Sequence, residues 1–415
     1  METVQSLPVS GLPLEARRKY GESHYKFALQ QYGKALRLMR ELPPGTDSLF
    51  RNTLISCLLT TCFENYIGNQ DAAIAQAQAG MNVLIQAERA SSASKNIDLS
   101  YHLRALSIEE NDLFSTFARL EAFVIMFHGM YSQVPYNLLR PLGPDDSASF
   151  RDMPAVFETM REARLCWDLS IKRALQWRDA YIHHSNSSAF DFGENIVADG
   201  IRKMDGFSKR LETELQLYVL AKEQWLHAFQ PLFNRSRNNR GSKEFLGASI
   251  LMIQYIASSH STSLQGHKYE ARCDAFLQDH ITIVDLARDS LENFPSAESS
   301  PKRAVFLFDD SLVAGLFHVA TRCRERDVRR RAIQLLQRHP RREGLWDSEM
   351  AVKVSTWVMN QEEEGMINGY VPETARLRIV NTELRLSERK AIIRCSKLVE
   401  GCEERVELPE VTLTW

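Results

Sequence analysis

From about residue 15 to residue 364, apolar side chains return every third or fourth position, segment after segment. That rhythm demands helices that each bury one face. Residues 1–14 hold scattered Pro and Gly and read as an irregular lead-in. Over 15–42 one face carries Ala28, Tyr32, Ala35, Leu36 and Met39, and Pro43-Pro44-Gly45 ends the helix because proline cannot continue its hydrogen-bond ladder. Phe50 to Tyr66 is apolar nearly all round, as a buried helix would be. Gly68 and Asn69 suit its C-terminal cap. Asp71 is a candidate cap for the next helix, which runs through Ala75, Ala79, Met81, Val83 and Leu84 and whose small alanines allow close packing.

Further helices are predicted at roughly 103–131, 155–183, 207–230, 243–260, 270–293, 309–322, 326–338 and 347–364, with polar loops at 91–96, 141–149, 233–242 and 296–301. The tail changes character. Residues 376–380, 391–395 and 406–415 are short runs rich in Val, Ile, Leu and Thr, which predict a hairpin or a three-stranded ribbon. The expected fold is therefore mainly α. It is a multi-helical, partly solenoid-like body over 15–370, with a small C-terminal β-rich tail over 371–415.

Several classes of function are disfavoured by what the chain does not contain. No stretch approaches the ~18 consecutive apolar residues of a membrane span, so no membrane association is expected. The first residues lack a basic region followed by an apolar core, so no secretory leader is expected either, and a nuclear or cytoplasmic location follows. The seven cysteines, at 57, 62, 166, 273, 323, 395 and 402, include no CxxC pair. Neither a disulfide framework nor a cysteine-held zinc is predicted, and Cys57 and Cys62 read as small buried hydrophobes.

No P-loop, GxGxxG, GxSxG or HExxH occurs, so no catalytic, cofactor-binding or metal-binding residue is predicted, and no cofactor. The adjacent pair His183-His184 would project about 100° apart on a helix and would not share an ion. Helical terpene cyclases resemble the chain in class, but their two magnesium-binding acidic motifs are broken. Asp309-Asp310 is followed by Val313 where a third carboxylate belongs, and Asn111-Asp112 by Arg119 where the final Glu belongs. Neither side chain offers magnesium an oxygen. Asp309 and Asp310 read instead as a helix N-terminus.

The strongest charge feature is nine arginines between Arg322 and Arg342. They suit phosphate contacts. They equally suit pairing with acidic neighbours, for which Glu362-Glu363-Glu364 is the obvious candidate, and a structural role is the expectation. The run from Cys323 to Leu336, followed by Arg341-Arg342-Glu343-Gly344-Leu345-Trp346-Asp347-Ser348, Trp357-Val358 and Glu362-Glu363-Glu364-Gly365, resembles the C-terminal part of the fungal-specific transcription factor regulatory domain. The segments His24 to Ala35, Cys57 to Glu64 and Phe157 to Trp167 resemble its start and middle. On physical grounds, Gly344 permits a turn, and Asp347 caps a helix that presents Met350, Val354, Trp357 and Val358 and buries Trp357.

In that family the domain normally follows a zinc binuclear cluster with six cysteines, which this sequence lacks. The resemblance implies a transcription-regulator-like protein without its own DNA-reading cluster. No direct sequence-specific DNA binding is expected. It would act through a protein partner, either a second copy or an intact zinc-cluster factor, or through a small-molecule effector. The alternative is a helical domain recruited as an enzyme or ligand-binding protein in a fungal biosynthetic pathway.

Overall fold

The computed structural model describes residues 14–40, 47–92, 113, 116–117, 119–120, 153–168, 170–171, 197–264, 267–293, 305–307, 312–344, 346–401 and 405–415. The chain divides into two units, Met1–Cys57 and Leu58–Trp415. In the first, helix α1 (Leu14–Arg40) keeps Ala28, Tyr32 and Leu36 half-buried, at the spacing of one helical stripe. Ala35 is exposed. The expected lead-in, apart from Leu14, lies outside the described residues, and so do Pro43-Pro44-Gly45. Helix α2 (Asp47–Ile67) crosses the boundary between the units.

The second unit opens with the end of α2 and with α3 (Gln70–Ser92). Gly68 has φ +86°, the left-handed conformation that ends a helix, and a Cβ there would stand 3.2 Å from the Ser387 backbone nitrogen. The cap of α3 is Asn69, not Asp71. The Asn69 side chain faces the Ala72 N–H at 3.5 Å, and Asp71 sits in the first turn, where it complements the dipole. The buried stripe of α3 is Ala73, Ile74, Ala77 and Met81, while Ala75 and Ala79 face outward.

Residues 113, 116–117 and 119–120 are helical, as are 160–168 and 170–171. The helix predicted from 155 begins only at 160, since 155–159 form bends and extended chain. The remainder of those two predicted helices, with His183-His184 and Asp112, lies outside the described residues. Helix α4 (Val197–Ser236) runs through Pro231 and past the predicted end at 230. It packs on α5 (Lys243–Ser263), which Ser242 caps by accepting from the Phe245 N–H at 3.0 Å. Trp225 stacks on Phe229 and lies beside Trp167, and its indole N–H donates to the Ala163 carbonyl at 2.9 Å.

After a 3-10 segment (Glu270–Phe276), helices α6 (Leu277–Asn293), α7 (Val313–Arg322), α8 (Arg326–Arg338) and α9 (Ser348–Glu364) pack together, and α6 and α7 also pack on α5. Asp309 and Asp310 lie outside the described residues. At Gly315 a Cβ would come within 2.3 Å of Ile253, so α7 approaches α5 as only glycine allows.

Three short strands, β1 (Val305–Leu307), β2 (Arg341–Glu343) and β3 (Trp346–Asp347), form a sheet that the sequence pattern did not announce. β1 pairs parallel to β2, and β2 antiparallel to β3. The C-terminal sheet has four strands where a hairpin or three were expected: β4 (Leu377–Arg385), β5 (Lys390–Leu398), β6 (Arg405–Glu407) and β7 (Val411–Thr414). β5 pairs antiparallel with β4 along one edge and, in succession, with β7 and β6 along the other. Ala391, Ile393 and Cys395 of β5 join the core shared with the helices. The fold is thus mainly helical, with a small antiparallel sheet at its C-terminus. Among the described residues no helix is long and apolar enough to cross a membrane.

Candidate functional site

The turn from β2 into α9 is made by the residues that carried the family resemblance. Gly344 has φ +56°. Asp347 accepts from the N–H groups of Glu349 and Met350 at 2.8 and 3.0 Å and so caps α9. The Glu343 carboxylate is fully buried and accepts from the Leu312 and Val313 N–H groups at 2.7 and 2.8 Å, a carboxylate set on the N-terminus of α7. Trp357 is half-buried against the core, less covered than its spacing suggests.

Most of the arginines of the 322–342 cluster turn inward or pair. Glu362, at the end of α9 and 0% exposed, takes Arg324 at 2.8 Å, Arg329 at 2.7 Å and the Leu377 N–H at 2.8 Å. Glu270 takes Arg322, Arg324 and, from β4, Arg378 at 2.6 Å. Arg330 pairs with Glu363, Arg331 with Asp285 and Arg341 with Glu343, and Arg342 donates to the Tyr66 carbonyl. Arg326 and Arg338 remain exposed.

Burial raises the pKa of the Glu270 carboxyl, but Arg322, Arg324 and Arg378 outweigh it and hold the carboxyl below its usual range. Burial pushes Arg329 down, Glu362 offsets this only in part, and the like charge of Arg324 adds to the lowering. The network extends into the tail. Arg376 makes a bidentate pair with Asp274 at 2.7 and 2.7 Å, and Arg405 binds Glu373, whose two oxygens accept from the Glu270 and Ala271 N–H groups. These geometries hold elements together and leave those guanidiniums little freedom to meet a phosphate.

A second cluster has no counterpart in the sequence motifs. His260 in the last turn of α5, His280 in the first turn of α6 and His318 within α7 each contribute one ring nitrogen to a cluster, and these atoms lie within 4.8 Å of one another. His260 and His280 are each 1% exposed. Asp279 Oδ2 lies 2.9 Å from His260 Nε2. A carboxylate only accepts, so Nε2 carries the hydrogen and the Nδ1 lone pair faces His318 Nε2, 3.1 Å away. Phe276 stacks on the His260 ring at 4.1 Å.

His280 Nε2 is buried without a hydrogen-bond partner. Burial pushes His280 down to about 3, with His260, Arg324 and Arg322 adding to the effect. Burial likewise lowers His260 and His318. All three rings are therefore neutral near pH 7, the form that ligates metal. Nearby, Lys222 is 3% exposed and donates to Thr262 at 3.0 Å, and burial lowers it to about 8.

These histidines escape sequence reading because 58 residues separate His260 from His318 and no fixed spacing links the three. Among the broken acidic motifs, Arg119 pairs with Asp168 at 3.1 Å, and Val313 is buried in the core. A surface cleft of about 380 Å³ is lined by Phe233, Phe245 and Leu286, and its Arg240 and Arg288 both pair with Asp289.

No family model matches the chain, and no solved structure matches it. A stretch of 66 residues, 16% of the chain, is 39% identical to the aspercryptin biosynthesis cluster-specific transcription regulator of Emericella nidulans. The match spans 10% of that protein's length. Over that stretch the chain is related to a transcription regulator.

Proposed function

We propose that this chain is a transcription-regulator-like protein that acts on fungal metabolic or biosynthetic gene expression through a protein partner or a small-molecule effector. The partner is a second copy of the chain or an intact zinc-cluster factor. The observation that carries the reading is the 66-residue match to a regulator of a biosynthetic gene cluster, which agrees with the resemblance in residues 323–365. The inward pairing of Arg324, Arg329 and Arg341 supports a body that works by protein or ligand contacts more than by gripping DNA. The test is deletion in the host, with transcript profiling and capture of partners from nuclear extract. Transcripts of one metabolic or biosynthetic gene set are expected to change together. Unchanged transcripts with altered metabolites would sink the reading.

A second reading, a helical domain recruited as an enzyme or ligand-binding protein, is favoured by one observation. His260, His280 and His318 converge near the buried Lys222, whose pKa is lowered to about 8. The same deletion separates the two, since a metabolic role alters products while leaving transcripts in place.

A further inference from the structure

We propose that His260, His280 and His318 bind a single divalent transition-metal ion of the zinc type, with Asp279 as the positioning residue for His260. Three observations carry this. One ring nitrogen from each of the three histidines already lies within 4.8 Å of the other two. Tetrahedral ligands at a zinc–nitrogen distance of about 2.0–2.1 Å lie roughly 3.3 Å apart. The His260–His318 pair stands at 3.1 Å, so it is near ligand spacing, and a shift of side chains brings in His280.

The second observation is His280 itself. A buried ring nitrogen with no partner is rare in folded proteins, and an ion held among the three histidines would supply the partner that His280 Nε2 lacks. The third is the Asp279 carboxylate on His260 Nε2. Ligating histidines usually donate their other ring N–H to such a group, which fixes the tautomer and presents the opposite lone pair. Imidazole donors without thiolate suit zinc, copper, nickel or iron and disfavour magnesium and calcium.

On metal uptake His318 gives up its Nε2 hydrogen by exchanging to the other tautomer, so the neutral ring ligates and no net proton is lost. Other charged groups act on the site. Lys222 and Arg322 act on His260, and Arg322 and Arg324 on His280. Both arginines are countered by carboxylates, Arg322 by Glu270 at 3.4 Å and Arg324 by Glu362 at 2.8 Å. Among the described residues the ligand group consists of the three histidines, which leaves at least one coordination position for water or another non-protein donor.

The test uses the full chain, purified without a histidine tag, stripped with chelator and titrated with cobalt(II). One equivalent is expected to give the visible bands of low-coordinate cobalt, which zinc abolishes on displacement. Asp279→Asn is expected to weaken binding about 10–100-fold. His280→Gln should weaken it at least as much, with circular dichroism confirming that the variant is folded. A wild-type protein that shows no such bands, or variants that bind as tightly as wild type, would overturn the proposal. If His280→Gln fails to fold, the wild-type spectrum and Asp279→Asn still decide it. The outcome is independent of the regulatory reading, which is scored on transcripts and not on cobalt.

Discussion

At the scale of single residues, Glu362 ties Arg324, Arg329 of α8 and the start of β4 to the end of α9. It is fully buried and answers two guanidiniums, those of Arg324 and Arg329, that are themselves almost completely covered. Breaking a buried pair by removing one partner costs about 3–5 kcal/mol, because the remaining charge cannot reach water. Glu362→Gln keeps the shape and removes the charge, so it is expected to lose about that much stability in a denaturant titration. A loss under ~1 kcal/mol would show that water reaches the arginines. Glu270 gives a pH dependence of definite sign. Its folded pKa lies below the ordinary carboxylate value, so its contribution is full above that ordinary value and disappears as pH falls through the lower, folded one. Acidification below about pH 4.3, the ordinary glutamate value, should therefore lower the melting temperature more steeply in wild type than in Glu270→Gln. Equal slopes would remove Glu270 from the account. Two acidic partners of the arginines, Glu362 and Glu363, were readable because three consecutive glutamates follow a basic helix, whereas Glu270, Asp285 and Glu343 were not. The histidine cluster was not, because its members meet only once α5, α6 and α7 pack together.

At the scale of elements, local chemistry predicted ends well where a cap or a strong periodicity exists. α8 has the predicted bounds, and α9 begins right after the predicted Asp347 cap. Asp347→Ala is expected to cost about 1 kcal/mol, and Asp347→Asn much less, since asparagine caps nearly as well. Equal losses for both would mean that Asp347 acts through its charge. Elements were missed where tertiary packing overrides local preference. Strands of two or three residues, such as β1 to β3, carry no period to detect. α4 passes Pro231, because burial of Leu232 and Phe233 favours another helical turn despite one missing backbone donor. Gly315 tests the closeness of α7 and α5. Gly315→Ala puts a methyl against Ile253 and is expected to destabilise by roughly 1–3 kcal/mol, although alanine is the better helix former. A stabilised variant would mean that the helices part easily.

At the scale of the molecule, the question is whether the C-terminal strands are an appendage or part of one cooperative body. Periodicity alone distinguishes a helical stretch from a tail, and it cannot say how strongly the two are coupled. Both lie in the unit Leu58–Trp415. Their contacts include the charge pairs Arg376–Asp274 and Arg378–Glu270 and the hydrogen bond from the Leu377 N–H to Glu362. Ile393, Cys395 and Leu413 belong to the same apolar core as Leu316 and Val354. Removing the strands would leave Glu270 and Glu362 with fewer donors and would expose apolar faces of α9, and both effects act against the helices as well. Helix and sheet should therefore unfold together. Far-UV circular dichroism, which follows the helices, and amide exchange in β5 should give the same unfolding free energy. A chain ending at residue 370 should lose the cooperative transition. If that shorter chain melts sharply near the full-length temperature, the tail is an appendage, and the arginine–carboxylate pairs across it contribute little.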